Sequence, residues 1–394
     1  MTDEKMNKER LAVSFIFFIN GFTYGSWVSR LPKFQEEYGM DNGMLGIVLL
    51  VHAIGALFSM PLAGWLIVRN GSQRITLFSL FIFCSLTAFL PMMPNIMTLA
   101  IWLGIMGILS GVLDVSMNAQ AVLVEQRADK PIMSSFHAFF SIGMMVGAGL
   151  GSFFVYLGLT LTHHLIIASL FGLVVAAWSV GQLIPDHADP SGKSESVFFR
   201  LPNKSLVGIG LIAFCGLLGE GAMADWSTSY LENSLLAKEA IAPLGLVAFS
   251  TAMTLTRLSG DWGRKTMGDD TLLIISSSTA IVGMLIVIFG VFVPVVIFGF
   301  FLVGLGLAII VPIAYSKAGS IKGIAPGLGI SMVSTLGYSG FLFGPPIIGY
   351  LGDVFNLQVA FLFLLLLFAV MLFISWLNPK YQAARKNAEI DPGE

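Results

Sequence analysis

Charge is what this sequence has least of. Asp, Glu, Lys and Arg make up 11% of its 394 residues, where a soluble domain carries roughly 25%, so a soluble globular fold is excluded. Basic runs are missing as well. The 21 Lys and Arg are balanced by 23 Asp and Glu, a net charge of −2, and a nucleic-acid binder would need a strong basic footprint. The two cysteines, Cys84 and Cys215, fall in apolar stretches; a disulfide framework is out, and neither stands at a metal-ligand spacing. No metal and no cofactor is expected. Without a Walker motif, ATP is not the direct energy source. An enzyme would need metal-spaced histidines or a nucleophile with its base, and no such set is present.

Apolar residues fill the space: 56% of the chain is hydrophobic. The charged stretch from Met1 to Arg10 leads into an apolar run from Leu11 with no small-residue cleavage site after it, so that run reads as a retained first span. At about 20 apolar residues per crossing, twelve spans are expected near 11–31, 43–67, 75–94, 97–124, 133–158, 165–184, 205–231, 243–258, 271–291, 294–316, 328–350 and 359–377. The runs are continuously apolar, without the alternation of a lipid-facing strand, so they are helices. The chain is therefore an all-α membrane protein. Placing both termini on the inner side puts all Lys and Arg there except Arg30, Lys33 and Lys238, as the positive-inside rule requires. Between spans six and seven runs the longest polar stretch. It divides the chain into an N-terminal six-helix bundle (1–184), a cytoplasmic linker (185–204) and a C-terminal six-helix bundle (205–394).

The halves repeat one another in places. Trp27 and Trp226 are 199 positions apart, as are Gly46 and Gly245; Tyr156-Leu157-Gly158 returns as Tyr350-Leu351-Gly352. Two parallel six-span repeats are an arrangement secondary transporters use, with the substrate site between the halves near the midplane.

Three stretches resemble a known family. Gly111-Val112-Leu113-Asp114-Val115-Ser116-Met117-Asn118 in span four carries an acid followed four residues later by asparagine. Ser135-Phe136-His137-Ala138-Phe139-Phe140-Ser141-Ile142-Gly143 opens span five with polar residues, and Glu220-Gly221-Ala222-Met223-Ala224-Asp225-Trp226-Ser227 lies in span seven. These resemble the major facilitator superfamily, and within it the fucose-permease-like sugar symporters and their bacterial relatives. The resemblance implies the major facilitator fold, sugar transport by proton symport, a functional acid at Asp114 and the cell inner membrane. Two departures stand out. The loop after span two, Gly64 to Gly71, has Val68 where the superfamily carries an acid, and span one has Val28 where fucose permease carries an aspartate.

Ionisable groups inside a span are costly and face a cavity or a partner. Ser110, Asp114, Asn118 and Ala121 share one face of span four, continuing towards Glu125. Asp114 is a candidate for proton coupling; the competing reading is a neutral structural acid. His137 at the inner end of span five is a candidate for hydrogen-bonding a substrate, with His52 a weaker one. His163 and His164 read as solvated. In span one Asn20, Thr23, Trp27 and Arg30 fall within one 80° arc that suits a polar, sugar-like solute, or else forms a helix interface with a snorkelling arginine.

Carried by the 199 offset, that face becomes Gly219, Ala222, Trp226 and Ser229, bordering Asp225. Glu220 and Asp225 are about 140° apart on a helix, so only one of them is expected in a narrow cavity, with Asp225 slightly favoured. Arg30 is expected to meet Asp225 near the outer mouth. Arg257 and Asp261, four apart at the inner end of span eight, read as a gate or structural ion pair. The expected function is transport of a small polar solute with protons by a monomer in the lipid bilayer. Efflux of amphipathic compounds and a membrane sensor are the alternatives, although the 17 residues after Leu377 are few for a signalling domain.

Overall fold

The computed structural model describes residues 3–128, 132–186, 206–321 and 326–390, and among them there is helix and no strand. Ten helices are long and apolar enough to cross a membrane. In hydrocarbon every backbone N–H and C=O must be satisfied within its own segment, and a helix does this. The first bundle contains α1 (Asp3–Val28), the short α2 (Leu31–Tyr38), α3 (Asn42–Asn70), α4 (Ser72–Phe89), α5 (Ile96–Ala128), α6 (Met133–Tyr156) and α7 (Leu161–Ser179). The second contains α8 (Val207–Ser229), α9 (Leu244–Met267), α10 (Asp269–Phe289), α11 (Val293–Leu307), α12 (Ile310–Gly319), α13 (Pro326–Val354) and α14 (Leu357–Ile390). With α2 a short helix and α11–α12 one interrupted span, each of the twelve expected spans falls on a helix, and ten of these are long and apolar enough to cross by themselves. From residue 187 onward the expected linker lies outside the described residues.

Local chemistry sets the breaks. Pro312 has no N–H to give, and its ring collides with the carbonyl four residues earlier; that residue is Ala308, where α11 stops and α12 restarts. At the ends of α3 and α9 the chain reverses through single glycines, Gly71 (φ 82°, ψ 150°) and Gly268 (φ 76°, ψ 156°). Positive φ of this kind is open to glycine at little cost. Their equivalence extends the internal repeat. Orphan N–H groups at helix starts are taken by carboxylates: Asp186 accepts from Ser72 and Gln73 at 2.6 and 3.0 Å, and Glu125 accepts from Ile132 and Met133 at 2.8 and 2.7 Å. Glu125 therefore starts α6 instead of extending a polar face.

The helix pairing repeats. In the first bundle α1 packs on α6, α3 on α5, and α4 on α5 and α7; in the second α8 packs on α13, α9 on α11, and α10 on α11 and α14. Small residues permit the close approach. A Cβ on Gly21 would lie 2.0 Å from the Phe140 carbonyl oxygen, and one on Gly143 would lie 2.0 Å from that of Phe18. In α13, Gly340 plays the same part against the Phe214 carbonyl at 2.7 Å. Gly21, Gly143 and Gly340 are thus helix contacts within each bundle. His164, expected to be solvated, is fully buried with its ring 5.2 Å from Phe154; it sits one turn inside α7 on the packed face, while His163 points out.

Between the bundles, α3 meets α13 and α6 meets α9. Both contacts lie at the ends away from the termini, hereafter the distal face. The α1–α6 glycine seam makes a direct test possible: Gly143→Leu should lower the melting temperature of the purified protein or prevent its recovery, since forcing side chains into a packed interface costs typically 1–3 kcal/mol. Gly64→Ala, which meets open space, should change neither.

Candidate functional site

Where the bundles part, a cavity of about 480 Å³ opens between α1, α3, α5 and α6 on one side and α8, α9, α12 and α13 on the other. That volume falls in the range of small-molecule sites, about 300–1,000 Å³. Its wall reaches Met133 and Arg264, at the ends of α6 and α9 on the terminal face. Contacts between bundles close the distal face. Arg30 Nη2 reaches Glu239 Oε1 at 3.2 Å, Ser152 Oγ donates to the Ala240 carbonyl, and Thr251 Oγ1 lies 3.0 Å from Met145 Sδ. The cavity is open towards the terminal face.

Asp114 stands midway along α5 on the cavity wall. Asn118 is absent from that wall: its Nδ2 donates to the Asp114 carbonyl at 2.8 Å and to Oδ1 at 3.3 Å, so it holds the acid from behind. Ala121 is packed in the core. The cavity arc of α5 is instead Ser110, Gly111, Asp114 and Met117. His137 lines the cavity with its ring edge-on to Phe17 at 5.3 Å.

In α1 the cavity-lining arc is Phe17, Asn20, Tyr24 and Trp27. It is turned from the expected one, leaving Thr23 fully buried against Cys84 and Arg30 beyond the cavity. Tyr24 was not singled out from the sequence, yet its hydroxyl donates to Asp225 Oδ1 at 2.8 Å, across the two bundles. Rings gather there: Trp27 lies 5.4 Å from Tyr24 and 5.5 Å from His52. His52 is on the wall with a buried Nε2 that has no hydrogen-bond partner among the described residues.

On α8 the cavity touches Leu217, Glu220, Gly221, Ala224 and Asp225. Both acids therefore face it, against the expectation of one. They mark the two edges of a single i, i+3, i+4, i+7, i+8 stripe and stand about 7.5 Å apart along the axis, which a broad cavity accommodates. Trp226 lies on the opposite side of α8, fully buried in the core, and does not line the cavity. Arg257 turns inward from α9: Nη2 is 3.0 and 3.2 Å from the Glu220 carboxylate oxygens, and Nη1 donates to Ser141 Oγ of α6 at 2.7 Å. Its expected partner Asp261 has a side chain outside the described residues. A carboxylate on the neighbouring helix α8 satisfies a guanidinium at this depth better than the helix end does.

Arg30 likewise pairs with Glu239, in the turn after α8, where Asp225 had been expected. Asp225 lies deeper and is held by Tyr24. Burial draws the Arg30 guanidinium below its ordinary pKa, and the carboxylates of Glu239, Glu232 and Glu37 oppose that shift. Arg30→Glu and Glu239→Arg should each loosen the distal closure and lower the melting temperature; the double reversal should recover at least half the loss. Equal loss in all three variants would leave the pair without a role.

The sequence model of the Major Facilitator Superfamily matches residues 13–325. The membrane protein MosC of Rhizobium meliloti is 35% identical over 358 residues, covering 90% of this chain and 86% of that protein. An uncharacterised MFS-type transporter of Yersinia pestis is 32% identical over 353 residues, covering 90% and 91%. Among solved structures, a point mutant of the nucleoside transporter NupG superimposes with a TM-score of 0.76 at 14% identity, over 93% of this chain and 98% of that one. A point mutant of the E. coli fucose:proton symporter FucP gives 0.63 at 17% identity, over 93% and 97%. At these identities the likeness to the solved structures is one of fold.

Proposed function

The chain belongs to the Major Facilitator Superfamily, and from that membership we propose a secondary active transporter that carries a small polar solute, sugar-like or nucleoside-like, together with a proton. It works as a monomer in the cell inner membrane with both termini cytoplasmic, so the open face is the inner one. Two six-helix halves rock about the central cavity.

The observation that carries this reading is Asp114. It lines the cavity, its carboxyl is held by Asn118, and no ion pair involves it among the described residues. Hydration favours the charged form of a carboxyl and a dry site the neutral one, so a single acid can exchange its proton as the cavity opens and closes. Glu220 has a different setting, fixed to Arg257, and serves substrate orientation and the crossing contact to Ser141. Asn20, His52, His137 and the Tyr24–Asp225 pair offer donors and acceptors for hydroxyls, while Trp27, Tyr338 and Phe341 offer ring faces for the apolar side of a sugar or base. The named activities of NupG and FucP support the same solute class.

Efflux of amphipathic compounds is the second reading, favoured by the apolar share of the wall, which includes Phe17, Phe140, Met60 and Met144. A thermal-shift panel of neutral sugars, nucleosides, amino acids and hydrophobic amines separates the two. Stabilisation by sugars or nucleosides supports uptake, and stabilisation by the amines alone supports efflux.

Proteoliposomes then test the coupling. One unit of imposed pH gradient sustains about tenfold accumulation in one-proton symport. Asp114→Asn keeps size and hydrogen bonding but cannot titrate. The variant should bring the accumulation ratio to about one while retaining solute exchange between the two sides; unchanged pH-driven accumulation would remove Asp114 from the coupling step.

A further inference from the structure

Helix α3 begins at the distal rim with N–H groups that its own turn cannot use. Asp41, the residue before it, accepts from Met44 at 2.7 Å. The first two donors of the helix, before Met44, are taken by the other half of the molecule. Asn42 N–H donates to Asp353 Oδ1 at 2.8 Å and Gly43 N–H to Oδ2 at 2.7 Å, both oxygens belonging to one carboxylate near the end of α13. The residues around it are cut to admit that carboxylate. A Cβ on Gly43 would lie 2.4 Å from Asp353 Oδ2; one on Gly46 would lie 2.6 Å from the Pro345 carbonyl, and one on Gly349 would lie 2.5 Å from that of Asn42. Gln35 of α2 steadies the site by donating to Asn42 Oδ1 at 3.1 Å.

We propose that Asp353 is a positioning residue of the transport cycle, a latch that caps helix α3 across the two halves when the distal face is closed and lets go when it opens. The inference rests on the rocking of the halves proposed above. Its chemistry suits repeated use. A charged carboxylate at a helix N-terminus adds to hydrogen bonding the attraction of the helix dipole. At the exposed rim both partners can pass to water on separation, so the latch stays weak enough to open. It is separate from the Arg30–Glu239 pair, which joins α1 and the turn after α8.

Spin labels at Asn95 and Val291, exposed on the distal loops of opposite halves, report the opening of that face. Cys84 and Cys215 are buried. Asp353→Ala should raise the ratio of distal-open to distal-closed molecules about fivefold, the effect of losing a typical cap. Asp353→Asn, which keeps one acceptor and loses the charge, should fall between wild type and Ala. Gly43→Ala should act like Asp353→Ala by displacing the carboxylate, and the double variant should be no worse than either single one. Asp353 is exposed, so its variants fold; a melting temperature within a few degrees of wild type verifies this. If wild type shows two distance populations and the Asp353 variants leave their ratio unchanged, the latch is overturned and the rocking reading stands. A single distance in wild type at every pH and ligand condition overturns both. Additive effects of Gly43→Ala and Asp353→Ala overturn the shared mechanism.

Discussion

A charge placed in hydrocarbon needs a partner or water, and the interior of this protein is arranged around that requirement. At the centre of a span an unpaired Asp or Arg costs about 2.5–3.5 kcal/mol on insertion scales and more by other accounts. Asp114, Glu220, Asp225 and Arg257 all stand on the wall of one cavity. Each is tied: Glu220 to Arg257, Asp225 to Tyr24 and Asp114 to Asn118. The helices that bear them can then present apolar faces elsewhere, to lipid or to the core. The cavity is where the sequence gathers what the bilayer excludes.

The repeat supplies the scaffold on which these groups differ. Gly71 and Gly268 turn the chain at matching places, and glycine seams bind α1 to α6 and α8 to α13. Against that likeness, the first half brings a carboxyl held by an amide, and the second brings an ion pair and a carboxyl held by a phenol from across the cavity. Similar halves can rock against one another as rigid units. Unlike contents give the two halves different chemical tasks.

Much of this was legible beforehand. Twelve spans and the presence of Asn20, Trp27, Asp114 and His137 near the cavity follow from apolar run length and from the cost of burying polar groups, and the family from the resemblance of short stretches in spans four, five and seven. The rotation of individual helices was harder to read. Carrying the face of α1 to α8 by the 199 offset of the tryptophans reaches Trp226, on the packed side; an offset of 200 carries Phe17, Asn20 and Tyr24 onto Leu217, Glu220 and Ala224, all on the cavity wall. One residue of register turns a helix by about 100°. Tyr24 and Glu239 escaped notice for another reason. A tyrosine in an apolar span gives no burial penalty to notice, and Glu239 lies in a loop where acids are ordinary. Apart from His52 and Tyr315, helices α3 and α12 line the cavity through residues such as Ala53, Ala56, Leu57 and Val311, which carry no polar signal.

The distal seal and the cavity are joined through one helix. Tyr24 at the distal end of α1 and Arg30 just past it stand six residues apart; one holds Asp225 of α8 and the other Glu239 in the turn beyond it. Arg257 adds a second crossing lower down, from α9 to Ser141 of α6. These two helix pairs also pack directly, α6 with α9 and α1 with α8, and α2 adds to the second contact. In the proposed cycle, a solute or proton that released Asp225 from Tyr24 would remove a tie between the same elements that Arg30 and Glu239 hold together. Loosening inside the cavity weakens closure at the rim because both act on the separation of the same two helices.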